Sequence, residues 1–291
     1  MHSFRGRSEP LILLTNDDGV QSPGLLAAIR AVAGLGRVVV VAPTTQQTSR
    51  GRGMFGDFTD VLHRTTLPNL DVEAEIEIYH LDASPALAVQ HAMNTIFVSQ
   101  WPDLVVSGIN YGENLGLDIT ISGTVGAAFQ AAAYGIPAIA ASQQVDVAHH
   151  YEYGEVDWDG STRVLRKYTE RLLAALAGLP ASVALSGRDR LSEARPFPFD
   201  VLKIDAPFIC PPGTAEQLSR LSRRHYFKFS IDEPTAESPI GAGRTRVDED
   251  PGLVHPGDDI HTLARDHAVA ITPLIVDFTA PLEESARILG L

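Results

Sequence analysis

Oxygen-bearing side chains gather just beyond the ends of three apolar runs, and their types set the chemistry available. After Leu11–Thr15 come Asn16, Asp17 and Asp18; after Arg37–Ala42 and Pro43 come Thr44, Thr45, Gln46, Gln47, Thr48 and Ser49. Beyond Leu104–Ser107 stand Gly108 and Asn110, and the chain continues through Asn114 and Asp118 to Ser122-Gly123-Thr124. Two adjacent carboxylates repel when both are ionised, so Asp17 and Asp18 call for a compensating positive charge. Carboxylate, amide and hydroxyl oxygens, with no thiolate and no obligatory imidazole, are hard ligands that suit Mg²⁺ or Mn²⁺ better than Zn²⁺. Asn-Asp-Asp-Gly is also ordinary turn chemistry. Its grouping with Asn110 and the hydroxyl-rich loop favours the ligand reading. Ser122-Gly123-Thr124-Val125 opens an Ala-rich helix whose free N–H groups and positive dipole end suit a phosphate. A plain Ser N-cap has the same pattern.

These groups need a scaffold. Leu11–Thr15 and Arg37–Ala42 flank a helical pattern, Leu25–Ala33, and together make a βαβ unit. Their apolar runs do not alternate, as expected for a parallel sheet covered on both faces. Glu73–Leu81 alternates Glu with apolar residues and predicts an edge strand. Ser84-Pro85 caps a helix over Pro85–Val98. Strands over Leu104–Ser107, Ala138–Ser142 and Val201–Ile204 alternate with helices over Thr124–Tyr134 and Ser161–Leu179. The stretch Asp232–Asp259 is rich in Pro, Gly and acidic residues and reads as loops and hairpins, a lid or an oligomerisation arm. Val269–Phe278 is a terminal strand in which Pro273 implies an edge or a bulge, and a helix over Leu282–Ile288 follows. The fold class is therefore α/β, with a mostly parallel sheet and helices on both faces. It divides into a flexible extension (1–10), a core (11–207) and a C-terminal extension (208–291).

Composition excludes several classes. One cysteine, Cys210, rules out a disulfide framework or a Cys-rich zinc site, and it reads as inert packing. The 23 basic residues against 36 acidic ones give a net charge of −13, which disfavours a nucleic-acid polymer or an anionic membrane as partner. No apolar leader or span stands out, so the expected location is the cytoplasm. Gly51-Arg52-Gly53-Met54-Phe55-Gly56 matches a dinucleotide-binding glycine pattern. It lies well past its strand and leads into Asp57 and Asp60 rather than an apolar helix, so it does not carry that function. His149-His150 reads as loop decoration, and Tyr226, Phe227 and Phe229 behind Arg223, Arg224 and His225 as a strand with basic flanks.

ILLTNDDGVQSPG, VVVVAP with its hydroxyl loop, VVSGINYGENLG, SGTVGAA, GIPAIAAS and AITPLIVDFT occur in this order. Together they resemble the SurE (survival protein E) family of metal-dependent phosphatases, which are 5′/3′-nucleotidases. The similarity runs densely from Leu11 to about Tyr151 and returns over Asp259–Thr279. The resemblance implies a Rossmann-like core and a C-terminal extension used to form a homodimer or homotetramer. It implies one divalent ion per subunit, Mg²⁺ or Mn²⁺, and hydrolysis of nucleoside 5′- or 3′-monophosphates, with short polyphosphate in some members. The family's two aspartates fall on Asp17 and Asp18 and its asparagine on Asn110. Thr48 stands in place of its serine, with Ser49 the alternative if the loop shifts by one. The family's GTP-x-D segment reads Ala83-Ser84-Pro85-Ala86-Leu87 here, and its N-x-N-x-P reads Lys203-Ile204-Asp205-Ala206-Pro207.

The mechanism so implied is metal-assisted phosphomonoester hydrolysis, with Asp17, Asp18, Thr48 and Asn110 around the cation. One aspartate accepts the proton of water, and Asn114, Ser122, Gly123 and Thr124 cradle the phosphate. A carboxylate-nucleophile phosphatase is the rival enzyme, but its nucleophile and acid stand two residues apart, whereas adjacent side chains on a strand diverge. A metal- or nucleotide-binding module without catalysis rests on Leu87 and Lys203 alone.

Overall fold

The computed structural model describes residues 7–146, 154–179, 196–248 and 254–290. Its elements are β1 (Leu11–Thr15), α1 (Pro23–Val32), β2 (Arg37–Pro43), β3 (His63–Thr65), β4 (Ile76–Leu81), α2 (Pro85–Thr95), β5 (Leu104–Tyr111), α3 (Gly123–Ala133), β6 (Ala138–Gln143), α4 (Asp159–Ala177), β7 (Val201–Ala206), β8 (Glu216–Leu218), β9 (Phe227–Ile231), β10 (Gly243–Val247), α5 (Asp259–Ala264), β11 (Val269–Leu274) and α6 (Leu282–Leu289). Nine strands form one sheet in the order β3-β4-β2-β1-β5-β6-β7-β11-β8. From β4 through β7 every pairing is parallel. β3 runs antiparallel to β4, and β11 antiparallel to β7. β9 and β10 form a separate hairpin.

Strand side chains alternate between faces, and this divides the core in two. Ile12 and Leu14 of β1 pack with Val38 and Val40 of β2 under α1 and α4. Leu11, Leu13, Val39 and Val41 pack on the other face under α2 and α3. The expected α/β sheet with helices on both faces is thus present. Three helices begin alike: Ser22, Ser84 and Ser122 each accept a backbone N–H from three residues on, and in α1 and α2 a Pro follows the cap. Pro lacks an N–H, and the N–H of any other residue at that position would be unbonded in any case.

Where the chain departs from expectation, backbone chemistry supplies the reason. The expected edge strand β4 lies one place inside the sheet, because the short β3 covers its outer side. β11 likewise has a strand on each side. Pro273 is tolerated because alternate N–H groups of β11 face β8 (Val269 N–H to Ala215 O, 2.8 Å), and β8 ends opposite Ile271, before Pro273. The strand expected over Leu104–Ser107 continues to Tyr111 with a register shift between Ser107 and Asn110, so Asn110 is a strand residue and not a loop residue. Gly108 makes this possible: its φ is +124°, and a Cβ there would overlap the Ala141 carbonyl oxygen. At the N-terminus, Arg7 pairs with Asp103, which also accepts the Leu11 N–H at 2.9 Å. Residues 1–6 of the expected extension, and His149-His150, lie outside the described residues.

The topology positions the site. The chain moves outward from β1 to β2 and β4, then returns to β5 on the other side of β1. A crevice therefore opens beyond the carboxyl ends of β1 and β5, the switch point where open α/β sheets hold ligands. The first turn of α1 is pressed onto β5 there: a Cβ on Gly24 would overlap the Ile109 carbonyl oxygen and crowd Trp158. Gly24→Ala should therefore destabilise the protein by about 2 kcal/mol. Urea unfolding checks this, and wild-type stability in the variant would remove the claim of close approach.

Candidate active site

Asn16, Asp17 and Asp18 follow β1 directly, and all three are buried. Asn16 closes the turn by donating its Nδ2 to Gly19 O at 3.0 Å and to Ser22 Oγ at 2.8 Å. Asp17 faces the start of α3, where the Thr124 hydroxyl donates to its Oδ1 and the Gly123 and Thr124 N–H groups also reach it. Gly123 is needed for this approach, since a Cβ there would stand 2.7 Å from Asp17 Oδ2. Asp18 turns to β5 and accepts the Tyr111 N–H at 2.9 Å. Gln46, from the loop after β2, donates to its other oxygen at 3.4 Å. The same loop is tied down by Gln47 N–H to Asp17 O at 2.6 Å. The two carboxylates thus diverge, one to a helix N-terminus and one to a strand.

Burial pushes the Asp17 carboxyl up to about 6, against the hydrogen bonds from Thr124 and Gly123 that hold it down. Burial, reinforced by the neighbouring Asp17 charge, raises Asp18 well above the usual carboxylate range. A bound divalent cation would reverse both shifts. The donors around it fit a hard ion. Near the carboxylates in the chain or on the neighbouring strand, Thr15 Oγ1, Asn16 Oδ1 and Ser107 Oγ are buried with no hydrogen-bond partner among the described residues. Thr15 and Ser107 are register partners across β1 and β5, so their two hydroxyls share a face at the switch point. No group of three or more His, Cys, Asp or Glu suited to a metal occurs among the described residues. A cation here would therefore have two carboxylates and otherwise neutral oxygens.

The other residues singled out in the sequence fall as follows. Asn110 lies at the end of β5 and donates its Nδ2 to Gly112 O at 2.5 Å. Thr48 and Ser49 are exposed on the loop that Gln46 and Gln47 anchor. Ser122 spends its hydroxyl on the Val125 N–H, and Gly123 and Thr124 direct their donors at Asp17. The α3 terminus expected to receive a phosphate thus first receives a carboxylate of the protein itself. Asp118 braces the chain before β9, accepting from the Tyr226 and Phe227 N–H groups at 2.7 and 2.9 Å and pairing with His225. This gives the basic-aromatic stretch a structural role. Cys210 is half-buried against the start of α4.

A second charged cluster holds Asn114. Lys203, fully buried in β7, pairs with Asp205 and with Asp259 at 3.1 Å, and donates to Asn114 O at 2.7 Å. Asp205 accepts the Asn114 N–H at 2.7 Å, and the Asn114 side chain donates to Ser142 Oγ at 2.8 Å. Asp259 accepts the Gly116 and Ser222 N–H groups at 3.0 and 2.9 Å. Burial alone would lower the Lys203 pKa, but the two carboxylates win and raise it. Next to Asn114, burial pushes Glu113 up to about 7, against a hydrogen bond from Tyr226. Sequence reasoning does not find this cluster, although Lys203 and Asp205, two apart in an apolar strand, must share a face.

Fold and site together define a doubly wound α/β protein with an oxygen-donor centre at its switch point, suited to a hard divalent cation. Its relatives agree with this class. The family model described as Survival protein SurE matches residues 12–228, and the chain belongs to the SurE family. A protein of Methanocella arvoryzae named 5′-nucleotidase SurE is 35% identical, over 92% of this chain and 93% of its own length. One of Thermococcus gammatolerans with the same name is 36% identical, over 94% and 92%. The crystal structure of the SurE protein from Aquifex aeolicus aligns with a TM-score of 0.69 at 27% identity, covering 97% of this chain and all of that one.

Two measurements test the second cluster. Lys203→Met leaves Asp205 and Asp259 buried without their cation and should cost about 3–5 kcal/mol of stability. The loss should shrink as pH falls and Asp205, whose carboxyl burial already raises, protonates, which urea titrations at two pH values would reveal. Glu113 keeps its proton to about pH 7 when folded but only to the ordinary 4.5 when unfolded. Between those values the folded state binds more protons, so its stability falls as pH rises. Glu113→Gln removes that slope. Its stability relative to wild type should climb between pH 5 and pH 8, by on the order of 3 kcal/mol, and a flat difference would contradict the buried-carboxyl assignment.

Proposed function

We propose that this chain is a metal-dependent phosphomonoesterase that hydrolyses nucleoside 5′- or 3′-monophosphates, with other phosphate monoesters and short polyphosphate as further substrates. The observation that carries this reading is the Asp17–Asp18 pair, buried beside unpartnered oxygens at the sheet's switch point, in a chain whose relatives are named 5′-nucleotidase. Asp17 and Asp18 would hold one divalent ion, Mg²⁺ or Mn²⁺, with Asn110 and the hydroxyl of Thr48 or Ser49 completing the set. The bound ion supplies Lewis-acid polarisation of a phosphoryl oxygen and acidifies water.

The protein's own groups do the rest. Thr124 and the Gly123 N–H fix Asp17, and the Tyr111 N–H fixes Asp18, so neither carboxylate must reorganise as charge develops. One of the two accepts the proton of the attacking water. The N-terminus of α3, from Ser122 to Thr124, keeps its positive dipole end toward the anionic ester. Asn114, held by Ser142 and Asp205, presents its loop beside the phosphate. The part of the chain from residue 208 onward serves assembly into a homodimer or homotetramer. The net charge of −13 and the lone cysteine agree with a small-molecule substrate, a cytoplasmic location and no nucleic-acid or membrane partner. No helix among the described residues is long and apolar enough to cross a membrane.

A panel of nucleoside monophosphates, an aryl phosphate and tripolyphosphate, each assayed with Mg²⁺, Mn²⁺ or EDTA, tests the proposal. Activity should require the metal, and Asp17→Asn should lose at least about a hundredfold in kcat, as when a preorganised charged group is removed. Full turnover in EDTA, or by Asp17→Asn with metal, would refute it.

A further inference from the structure

The loop after β2 carries a feature that the metal-centred reading leaves unused. Gln46, Gln47, Thr48, Ser49 and Arg50 line a solvent-open surface cavity of about 310 Å³. The loop is fastened at both ends to the acidic pair's surroundings. Gln46 and Gln47 reach Asp18 and Asp17, and Gly51 N–H bonds Ile121 O at 2.9 Å, one residue before the cap of α3. Arg50 is the single ionic side chain in this lining. Among the described residues it has no ion pair, whereas Arg52 nearby is spent on Gln130 at 2.8 Å.

Arg50 is also braced. Gly53 N–H bonds Arg50 O at 3.0 Å and closes a turn that folds Phe55 back toward Arg50, whose guanidinium carbon lies 5.5 Å from the ring centroid. Gly53 must lack a Cβ for this, because one would overlap the Phe55 ring. Phe55 is fixed through its backbone to Ser84, donating to its Oγ at 3.2 Å and accepting from its N–H at 2.6 Å. The glycine pattern that fails as a dinucleotide site therefore builds a platform for one arginine. A guanidinium held by its face on an aromatic ring keeps its N–H edges for an oxyanion. In a chain of net charge −13, a phosphate dianion needs such a local cation on its way to two carboxylates.

We propose that the 46–50 cavity is where the phosphate of the substrate is received and that Arg50, held by Phe55, binds its non-bridging oxygens and sets KM. The proposal rests on the phosphomonoesterase reading above. Its test uses the full chain with Mn²⁺, with 5′-AMP as substrate and inorganic phosphate as competing anion. Arg50→Ala should raise KM and the phosphate inhibition constant together by about tenfold, with the loss in kcat/KM coming mainly from KM, as for a group that binds ground and transition states alike. Arg50→Lys should recover part of the loss, and Phe55→Ala should raise KM a few-fold through the lost platform. The wild-type kcat/KM should fall more steeply with added salt than that of Arg50→Ala. KM and phosphate inhibition within twofold of wild type in Arg50→Ala, or a loss confined to kcat, would overturn the assignment. Should the wild type hydrolyse no ester, the functional reading fails instead. Calorimetric titration of phosphate into the metal-loaded wild type and Arg50→Ala then decides Arg50 alone, equal affinities counting against it.

Discussion

Two carboxylates on consecutive residues, both removed from water, repel each other and are individually expensive to bury. The chain spends several separate elements to keep Asp17 and Asp18 there. The N-terminus of α3 takes one, and the main chain of β5 and the loop after β2 take the other. Glycine is required where the first contact is made, because Gly123 lets the helix end touch the Asp17 side chain. The donors named here are neutral N–H and O–H groups, so they orient the two charges without cancelling them. That is the property a cation site needs: fixed oxygens whose charge remains available. An Arg or Lys in the same place would have cancelled that charge and closed the site.

The cluster around Lys203 follows the opposite rule. There a buried ammonium lies between Asp205 and Asp259, and the two carboxylates also accept main-chain N–H groups from Asn114, Gly116, Ser222 and Ile260. The lysine's charge is matched within the protein, and the result is mechanical. One network joins β7, the start of α5 and the loop after β5. That loop leaves the same strand that carries Asn110 and Tyr111, so the cluster braces the acidic centre from behind. Placing Lys in β7 does not make the site basic, because its charge is consumed before it reaches the crevice.

The layers of the fold were legible in the sequence because apolar runs and Ser-Pro caps are local signals. β1, β2, β6 and α1 to α4 lie where their patterns place them, within a few residues at each end. Strand neighbours were less legible. β4 and β11 look like edge strands because Glu alternation and Pro273 mark exposure of one side, yet three-residue strands too short to announce themselves cover both. Gly108 reads as the end of β5, although it is the residue that lets the strand continue past a bulge to Asn110. At the site, Asp17, Asp18 and Asn110 stand out by type and position, since buried strands rarely end in such residues without cause. The contacts of Gln46, the Tyr111 main chain and Asp259 do not stand out. They depend on which loops meet across the sheet, and neither composition nor periodicity encodes that.

The centre divides into a rigid part and a variable part, and this division follows from how each is held. Asp17, Asp18 and Asn110 sit on or next to strands with neighbours on both sides, where a shift of one residue would turn apolar side chains outward. The loop after β2 is held at Thr44, Gln46, Gln47 and Gly51, and the side chains between Gln47 and Gly51 are free to change without disturbing the sheet. Thr48 is exposed on that span. In the proposed mechanism, substitution there would alter the shape of the anion's approach while the carboxylates stay fixed. The same holds for Arg50, whose support comes from Phe55 and Ser84 and not from the acidic pair. In the proposed mechanism, reactivity would thus reside in groups that the sheet cannot release, and selectivity in a loop tethered to them by a few hydrogen bonds.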